Sequence, residues 1–219
     1  MQKTILTANQ TKILDAVGQN NEICRYFYLT GGTALAEYYL RHRLSEDLDF
    51  FAESEFDVSG INAFFAGIRK NLNIESIDYQ QSFNRNLFFL KMGKETIKTE
   101  FTFFPFARIE KKIKRGNLFI DSVVDIATNK LFTIYQNPRS RDFIDLYCIN
   151  KKYGFSIGDL VKKAKIKFDF HIDFLQLGAQ FFRATDLKDY PNMKIDLGNY
   201  VWQSYFLDEA KRFSQKILD

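Results

Sequence analysis

Cysteine and histidine are both scarce in this sequence of 219 residues, which contains only two of each. Cys24 and Cys148 are too few for a disulfide framework, and each lies among apolar neighbours, as a buried thiol does. His42 and His171 keep no metal-ligand spacing with either cysteine. The sequence therefore argues against a disulfide-stabilised fold and against a zinc site.

Long apolar runs are also missing. No stretch approaches the length that is needed to span a membrane. The N-terminal sequence MQKTILTANQTK lacks the apolar core and the small-residue cleavage site of a signal peptide. We therefore expect a cytoplasmic protein that has no membrane partner.

The residues that are abundant indicate a globular protein. Hydrophobic residues make up 46% of the sequence and aromatic residues 16%, including 24 phenylalanines. This is not the composition of an intrinsically disordered protein. The formal net charge is +4, from 31 Lys+Arg against 27 Asp+Glu. This small excess permits a nucleotide or an RNA as partner without requiring one.

The most informative stretch covers residues 28–51. It predicts a strand, a glycine turn at Gly31 and Gly32, a helix that begins near Thr33, and a second strand that carries alternate acids. A glycine turn at the start of a helix offers free backbone amides to a phosphate, and the hydroxyl of Thr33 can bond the same group. The alternative for the two glycines is an ordinary turn with no ligand.

Asp47 and Asp49 are two residues apart in the second strand, so their carboxylates are expected on the same face. Two like charges on an otherwise apolar strand are costly unless a cation joins them. A hard divalent cation, Mg²⁺ or Mn²⁺, would meet this requirement. The structural alternative is that the two acids pair with Arg41 and Arg43.

Glu100 stands alone as an acid in the middle of a later strand, Ile97–Phe104. In that position it could supply a third carboxylate to the metal. The alternative is an acid on the surface of a half-exposed strand.

The remaining elements divide the chain into an α/β half and a helical half. Before residue 110, the predicted elements are helices at 7–17 and 58–72 and strands at 74–83 and 87–92, with a hairpin at Gly93-Lys94. The basic run 108–115 is predicted as a solvated face or loop. Later helices are predicted at 122–136, 140–150, 156–166, 171–182 and 199–218. This order predicts an α/β (α+β) fold with domains at residues 1–110 and 111–219.

Four motifs together resemble the DNA polymerase β-type nucleotidyltransferase superfamily, and within it the AbiEii/AbiGii toxin family. This family includes toxins of bacterial toxin–antitoxin and phage-defence systems. The motifs are Gly31-Gly32-Thr33, Arg43-Leu44-Ser45-Glu46-Asp47-Leu48-Asp49-Phe50, Asp125-Ile126-Ala127-Thr128-Asn129-Lys130 and Arg141-Asp142-Phe143-Ile144-Asp145-Leu146. The resemblance implies a nucleotidyltransferase fold, in which helices flank a mixed sheet and an all-helical C-terminal half follows.

The resemblance also implies roles for individual residues. Asp47 and Asp49 would bind the catalytic metal ions, with Glu100 as a third ligand. Lys130 would neutralise the triphosphate, and Asp142 would position Lys130 or activate the attacking hydroxyl. The residues implied to bind the nucleotide are Gly31, Gly32, Thr33, Arg43 and Ser45. Alternatives remain for the helical half: Lys130 as an ordinary exposed lysine, and Asp142 and Asp145 as partners of Arg139 or Arg141.

The implied activity is the metal-dependent transfer of a nucleoside monophosphate from a nucleoside triphosphate to an acceptor hydroxyl. The acceptor would be RNA, with tRNA as the choice that the family suggests, or a protein, and a cognate antitoxin would be a partner. The alternatives are an inactive nucleotide-binding module and a plain RNA-binding protein. A surface that follows a phosphate backbone could come from Lys111, Lys112, Lys114, Arg115, Lys162, Lys163, Lys165 and Lys167.

Overall fold

A computed structural model describes residues 4–218 of the chain, with side chains up to residue 213. The chain forms two units, and each is described by itself. The first extends to residue 107 and also includes residues 111–122; the second contains residues 108–110 and the chain from residue 123 onward. The predicted boundary after residue 110 differs from this division, because residues 113–120 add two strands to the sheet of the first unit.

The first unit is built on a mixed sheet. Its elements in chain order are α1 (Ala8–Gln19), α2 (Asn21–Tyr26), β1 (Tyr28–Thr30), α3 (Gly31–Ala34) continuing as a π-helix (Leu35–Leu40), β2 (Leu48–Ala52), α4 (Val58–Ile68), β3 (Ser76–Ser82), β4 (Arg85–Met92), β5 (Glu95–Phe103), β6 (Ile113–Arg115) and β7 (Leu118–Ile120). Within the described residues the sheet has seven strands in the order β3-β4-β5-β2-β1-β7-β6. The β2–β5 and β1–β7 pairs are parallel, and the other neighbours are antiparallel.

Local sequence explains several of these boundaries. Thr7 caps α1 through a capping box with Gln10, which confirms the predicted start of the first helix. Gly93 has a φ of +63°, which glycine adopts readily, and it opens the tight turn between β4 and β5. The predicted hairpin at this position is therefore confirmed.

Aromatic side chains form the core of the first unit. Phe50 of β2 stacks on Phe101 of β5 with ring centroids 5.1 Å apart, and Phe65 of α4 packs on Phe88 of β4 at 4.9 Å. All four side chains are fully buried. Burying one such side chain contributes about 1.5–3 kcal/mol. This packing holds β2 and β5, which carry the acids, in a rigid central position of the sheet.

The hairpin of β6 and β7 was not predicted. All three residues of β6 are exposed, and the surrounding run of basic residues shows no alternation of apolar and polar side chains. The strand β6 is held by its backbone pairing with β7, and β7 itself lies parallel to β1. The side chains of residues 113–115 are exposed, as predicted for the solvated run 108–115, but their backbone forms a strand and not a loop.

The second unit is helical. Its helices are α5 (Val123–Gln136), α6 (Ser140–Tyr153), α7 (Ile157–Phe168), α8 (Phe174–Phe182) and α9 (Val201–Leu218), with a 3-10 turn at Arg183–Thr185. Phe143 of α6, Phe181 of α8 and Phe206 of α9 meet in its core, with ring centroids 4.7–6.2 Å apart. Among residues 4–218, no helix combines the length and the hydropathy that crossing a membrane requires.

Candidate active site

The glycine turn lies directly against side chains of the following loop and strand. Gly31 has a φ of +70°, and a Cβ at this position would overlap the carboxylate of Asp49. A Cβ at Gly32 would overlap the guanidinium of Arg43 and press on the hydroxyl of Ser45. A Cβ at either position would have to displace these side chains, and at Gly31 the positive φ also favours glycine.

The loop that leads into β2 is held by hydrogen bonds. The buried hydroxyl of Thr33 donates to the backbone carbonyl of Asp47. The buried side chain of Gln10 donates to the carbonyls of Ser45 at 2.7 Å and Glu46 at 3.0 Å. Thr33 thus has a defined structural contact, and its contact with a phosphate remains a prediction.

Asp47 immediately precedes β2, and Asp49 lies within it. The ammonium of Lys98, from the adjacent strand β5, is 2.9 Å from Oδ2 of Asp47. Asp49 lies beside Glu100 in the parallel register of β2 and β5. The sheet therefore brings Asp49 and Glu100 side by side, and Asp47 lies at the residue before β2.

Arg85 neutralises part of this negative charge. Its Nε and Nη2 donate to the two carboxylate oxygens of Glu100 at 2.7 and 2.6 Å. The pKa of Arg85 is raised first by this hydrogen bond, against the effect of burial, and further by the charges of Glu100, Asp49 and Asp47. The register of β2, β5 and β4 places Asp49, Glu100 and Arg85 on one face of the sheet.

Glu100 is buried, with only 4% of its surface exposed, so the prediction of a surface acid is wrong. Burial by itself would raise the pKa of its carboxyl. Hydrogen bonds from Arg85 and Thr102 and the charges of Arg85 and Lys98 outweigh burial, so the pKa is lowered. Glu100 is therefore ionised at neutral pH, and both of its oxygens are already hydrogen bonded.

The arrangement of the carboxylates decides how well they fit a divalent metal. In the part of the chain that the structure describes, no group of three or more His, Cys, Asp or Glu residues is arranged to hold a metal ion. Both carboxylate oxygens of Glu100 accept hydrogen bonds from Arg85, so this arrangement does not favour Glu100 as a third metal ligand. That role remains a prediction. Mg²⁺ is usually bound by one or two carboxylates together with substrate phosphates. Asp47, whose side chain is 27% exposed, and Asp49 fit this requirement.

Lys130 of α5 lies in a separate cluster in the helical unit. Its ammonium is 2.7 Å from Oδ1 of Asp142 and 2.7 Å from Oδ2 of Asp145, both on α6. Lys130 is 8% exposed and both aspartates are fully buried, so the alternative of an ordinary exposed lysine is wrong. Arg139 also donates to Asp142, at 2.7 Å, which confirms the pairing that the sequence offered as an alternative.

The charge state of Asp142 limits its role. Burial would raise the pKa of its carboxyl, but the charge of Lys130 and the hydrogen bond and charge of Arg139 prevail, so the pKa is lowered. A carboxylate with a low pKa is a weak base at neutral pH. Of the two predicted roles of Asp142, this geometry favours positioning Lys130 over activating a hydroxyl.

The predicted basic surface is only partly available. Lys167 is completely buried, and its ammonium is 2.6 Å from Oδ1 of Asp125. Including Lys167 in a phosphate-binding surface was therefore wrong, because its charge is already paired inside the helical unit. Lys162 is 80% exposed. In the first unit, Lys112 lies over the ring of Phe119, 3.9 Å from its centroid.

Arg85 and Lys98 were not predicted as part of the site. The alternation in β5 places Lys98 on the same face as Glu100, and this spacing could have identified it. Arg85 could not be found in this way, because its contact depends on the register between β4 and β5.

The mixed sheet, with a glycine turn against Asp49 of its central strand, is a nucleotidyltransferase fold. A family model described as the nucleotidyl transferase AbiEii toxin of type IV toxin–antitoxin systems matches residues 12–213. The chain belongs to this family.

The chain is also similar to individual proteins. The uncharacterized protein aq_aa25 of Aquifex aeolicus is 35% identical over 156 residues, which are 69% of this chain and 70% of that protein. The crystal structure of a proposed nucleotidyltransferase from H. pylori aligns with a TM-score of 0.61 at 20% identity, covering 96% of this chain and 97% of the other. The structure of JHP933 from Helicobacter pylori has a TM-score of 0.57 at 21% identity, covering 95% of each chain. The two structures support the fold.

Proposed function

We propose that this protein transfers a nucleoside monophosphate from a nucleoside triphosphate to an acceptor hydroxyl, with Asp47 and Asp49 binding a divalent metal, Mg²⁺ or Mn²⁺. The observation that carries the proposal is the contact between the glycine turn and Asp49 of β2. At Gly31 there is no room for a Cβ beside the carboxylate of Asp49. A turn that presents backbone amides next to carboxylates can hold the phosphates and the metal of one substrate.

In the proposed reaction the acceptor hydroxyl gives up its proton to solvent and its oxygen attacks the α-phosphorus. The bond between the α-phosphorus and the oxygen that bridges to the β-phosphorus breaks, and pyrophosphate leaves with that oxygen. The bound metal would offset the negative charge of the phosphates and of the leaving group. The role of Thr33 and Gln10 is to fix the loop that carries Asp47. Arg43 and Ser45, which lie against Gly32, are the proposed side-chain contacts of the nucleotide.

We assign the ammonium of Lys130 to the phosphates of the nucleotide, by its place in the family motif. Asp142 and Asp145 hold this ammonium from two sides, which limits the number of rotamers it can adopt. A charge that is already in position lowers the activation barrier of the transfer more than a mobile charge does, because it requires no reorganisation during the reaction. Asp142 is therefore proposed as a positioning residue.

Transfer can be measured with each labelled triphosphate, Mg²⁺ or Mn²⁺, and total bacterial RNA. We expect label in RNA and release of pyrophosphate with the wild-type protein, and at least about a hundredfold loss in Asp47→Asn or Asp49→Asn, because electrostatic stabilisation of this size is common at reacting centres. The control is Asp78→Asn, which changes an exposed acid on β3 of the same sheet. Equal activity in Asp47→Asn and Asp78→Asn would refute the proposal.

The same assay distinguishes the other functions. Binding of nucleotide without turnover on any RNA or protein acceptor would favour a nucleotide-binding module. RNA binding that is indifferent to Mg²⁺ and to Asp49→Asn would favour a plain RNA-binding protein.

We further propose that the protein acts as the toxin of a toxin–antitoxin or phage-defence system, with RNA, and tRNA in particular, as acceptor and with a cognate antitoxin. Membership of the AbiEii family supports this role. Expression in a bacterial host should slow growth, and Asp47→Ala should relieve the effect at equal protein level. Growth inhibition that persists in Asp47→Ala would contradict a toxic activity based on transfer.

A further inference from the structure

Asp47, one of the two proposed metal ligands, already has a cationic partner within the protein. The ammonium of Lys98 is 2.9 Å from Oδ2 of Asp47 and 3.7 Å from Oε2 of Glu100. The first distance is that of a charged hydrogen bond, and the second is too long for one. The close partner of Lys98 is therefore Asp47.

Glu100 has no need of Lys98 as a hydrogen-bond donor. Arg85 donates to both of its carboxylate oxygens, and Thr102 donates to one of them at 2.7 Å. Glu100 and Asp47 are thus neutralised by two different cations. Arg85 is bound to the buried Glu100, and Lys98 is bound to the accessible Asp47.

The contact between Lys98 and Asp47 is partly exposed to solvent. The two side chains are 24% and 27% exposed, and such a pair is weaker than a fully buried one. The ammonium of a lysine sits on a flexible stem and can leave while its Cα stays in the strand. A divalent metal would lie about 2.0–2.1 Å from a carboxylate oxygen of Asp47, where it would meet the ammonium as a like charge.

We propose that Lys98 is an internal competitor of the divalent metal at Asp47. In the absence of metal its ammonium neutralises the carboxylate, and a metal binds only when the ammonium is displaced. The protein therefore binds free metal weakly, even though its proposed ligands are in place. The inference rests on the proposed function, because it takes Asp47 as a metal ligand.

The test is a titration of the full-length protein with Mn²⁺ alone, followed by electron paramagnetic resonance and calorimetry. Lys98→Met should bind Mn²⁺ at least about tenfold more tightly than the wild type, a difference of about 1.4 kcal/mol. Lys98→Arg, which keeps the charge, should not show this gain. The control Lys94→Met removes the same charge from an exposed position in the β4–β5 turn and should bind as the wild type does.

A second measurement does not depend on the binding titration. Saturating Mn²⁺ should raise the melting temperature of Lys98→Met by more than it raises that of the wild type, because the variant has unneutralised acids to stabilise. Circular dichroism without metal checks that the variant folds, and Lys98→Gln replaces it if it does not.

The results distinguish a failure of the proposed competition by Lys98 from a failure of the proposed nucleotidyl transfer. If the wild type binds Mn²⁺ and transfers nucleotide, but Lys98→Met binds no more tightly, the competition is refuted and the function stands. An equal gain in Lys94→Met would also refute it, because the effect would then be one of net charge. If neither the wild type nor Lys98→Met binds Mn²⁺ and no transfer occurs, the metal site itself is refuted.

Discussion

Lys130 and Lys98 both lie against aspartates, and they differ in their exposure to solvent. The side chain of Lys130 is 10% exposed and both of its aspartate partners are completely buried. Lys98 and its partner Asp47 are 24% and 27% exposed. The same pair of residue types can thus form a fixed ion pair in one place and, as we propose for Lys98, an exchangeable ion pair in another. Burial decides between them, because an ammonium can be removed at little cost only where water can replace it.

The largest effect is expected at the buried cluster. Lys130→Met leaves Asp142 and Asp145 without their shared cation, and breaking a buried pair in this way costs about 3–5 kcal/mol. The free energy of unfolding can be measured by urea denaturation. Lys165→Met, which removes an exposed lysine from α7 of the same unit, is the matched control. Equal stability of the two variants would show that the cluster is not the fixed element described here.

An intermediate effect is expected at Glu100, which is buried but has a half-exposed partner in Arg85. Glu100→Gln removes one charged oxygen from a hydrogen-bonded pair and should cost about 1–3 kcal/mol at pH 7. Because its pKa is lowered in the folded state, this carboxyl contributes stability above its unfolded pKa of about 4.3, and the contribution is lost as the pH falls through the folded pKa. The difference in stability between wild type and variant should therefore shrink below about pH 4. A difference that stays constant down to pH 2 would contradict this.

The smallest effect is expected at Lys98. In the absence of metal, Lys98→Met should change the free energy of unfolding by less than about 1 kcal/mol, because its ion pair is partly exposed. The same denaturation experiment measures it, with Lys94→Met as the control. A loss as large as that of Lys130→Met would show that Lys98 is a fixed structural residue, and the comparison between the two lysines would fail.

Much of the fold could be predicted from the sequence. The hairpin at Gly93 and the start of α1 at Thr7 depend on neighbouring residues, so local pattern was sufficient for them. The strand β6 could not be predicted, because it is exposed and depends on pairing with β7.

The candidate site shows the same limit. The sequence placed Asp47, Asp49 and Glu100 on strands, and the structure sets these strands side by side. Which cation neutralises each acid depends on the register of three strands and on rotamers. Arg85 therefore did not follow from spacing, and the alternation in β5 placed Lys98 on the face of Glu100 without identifying Asp47 as its partner. In the helical half, the alternative partner of Asp142 was found because Arg139 lies only one helical turn away.

The short segment 108–110 has a consequence for how the two units are connected. The buried carboxylate of Asp125 accepts the backbone N–H groups of Ile109 at 2.9 Å and Glu110 at 3.0 Å, so this segment belongs to the helical unit although β6 and β7 follow it. The chain passes from one unit to the other three times, and no single cleavage separates them. A fragment that ends at residue 110 loses two strands of the sheet, and one that begins at residue 123 leaves the Asp125 carboxylate without two of its donors. Two expressed fragments that meet at a single cut therefore cannot each contain one complete unit.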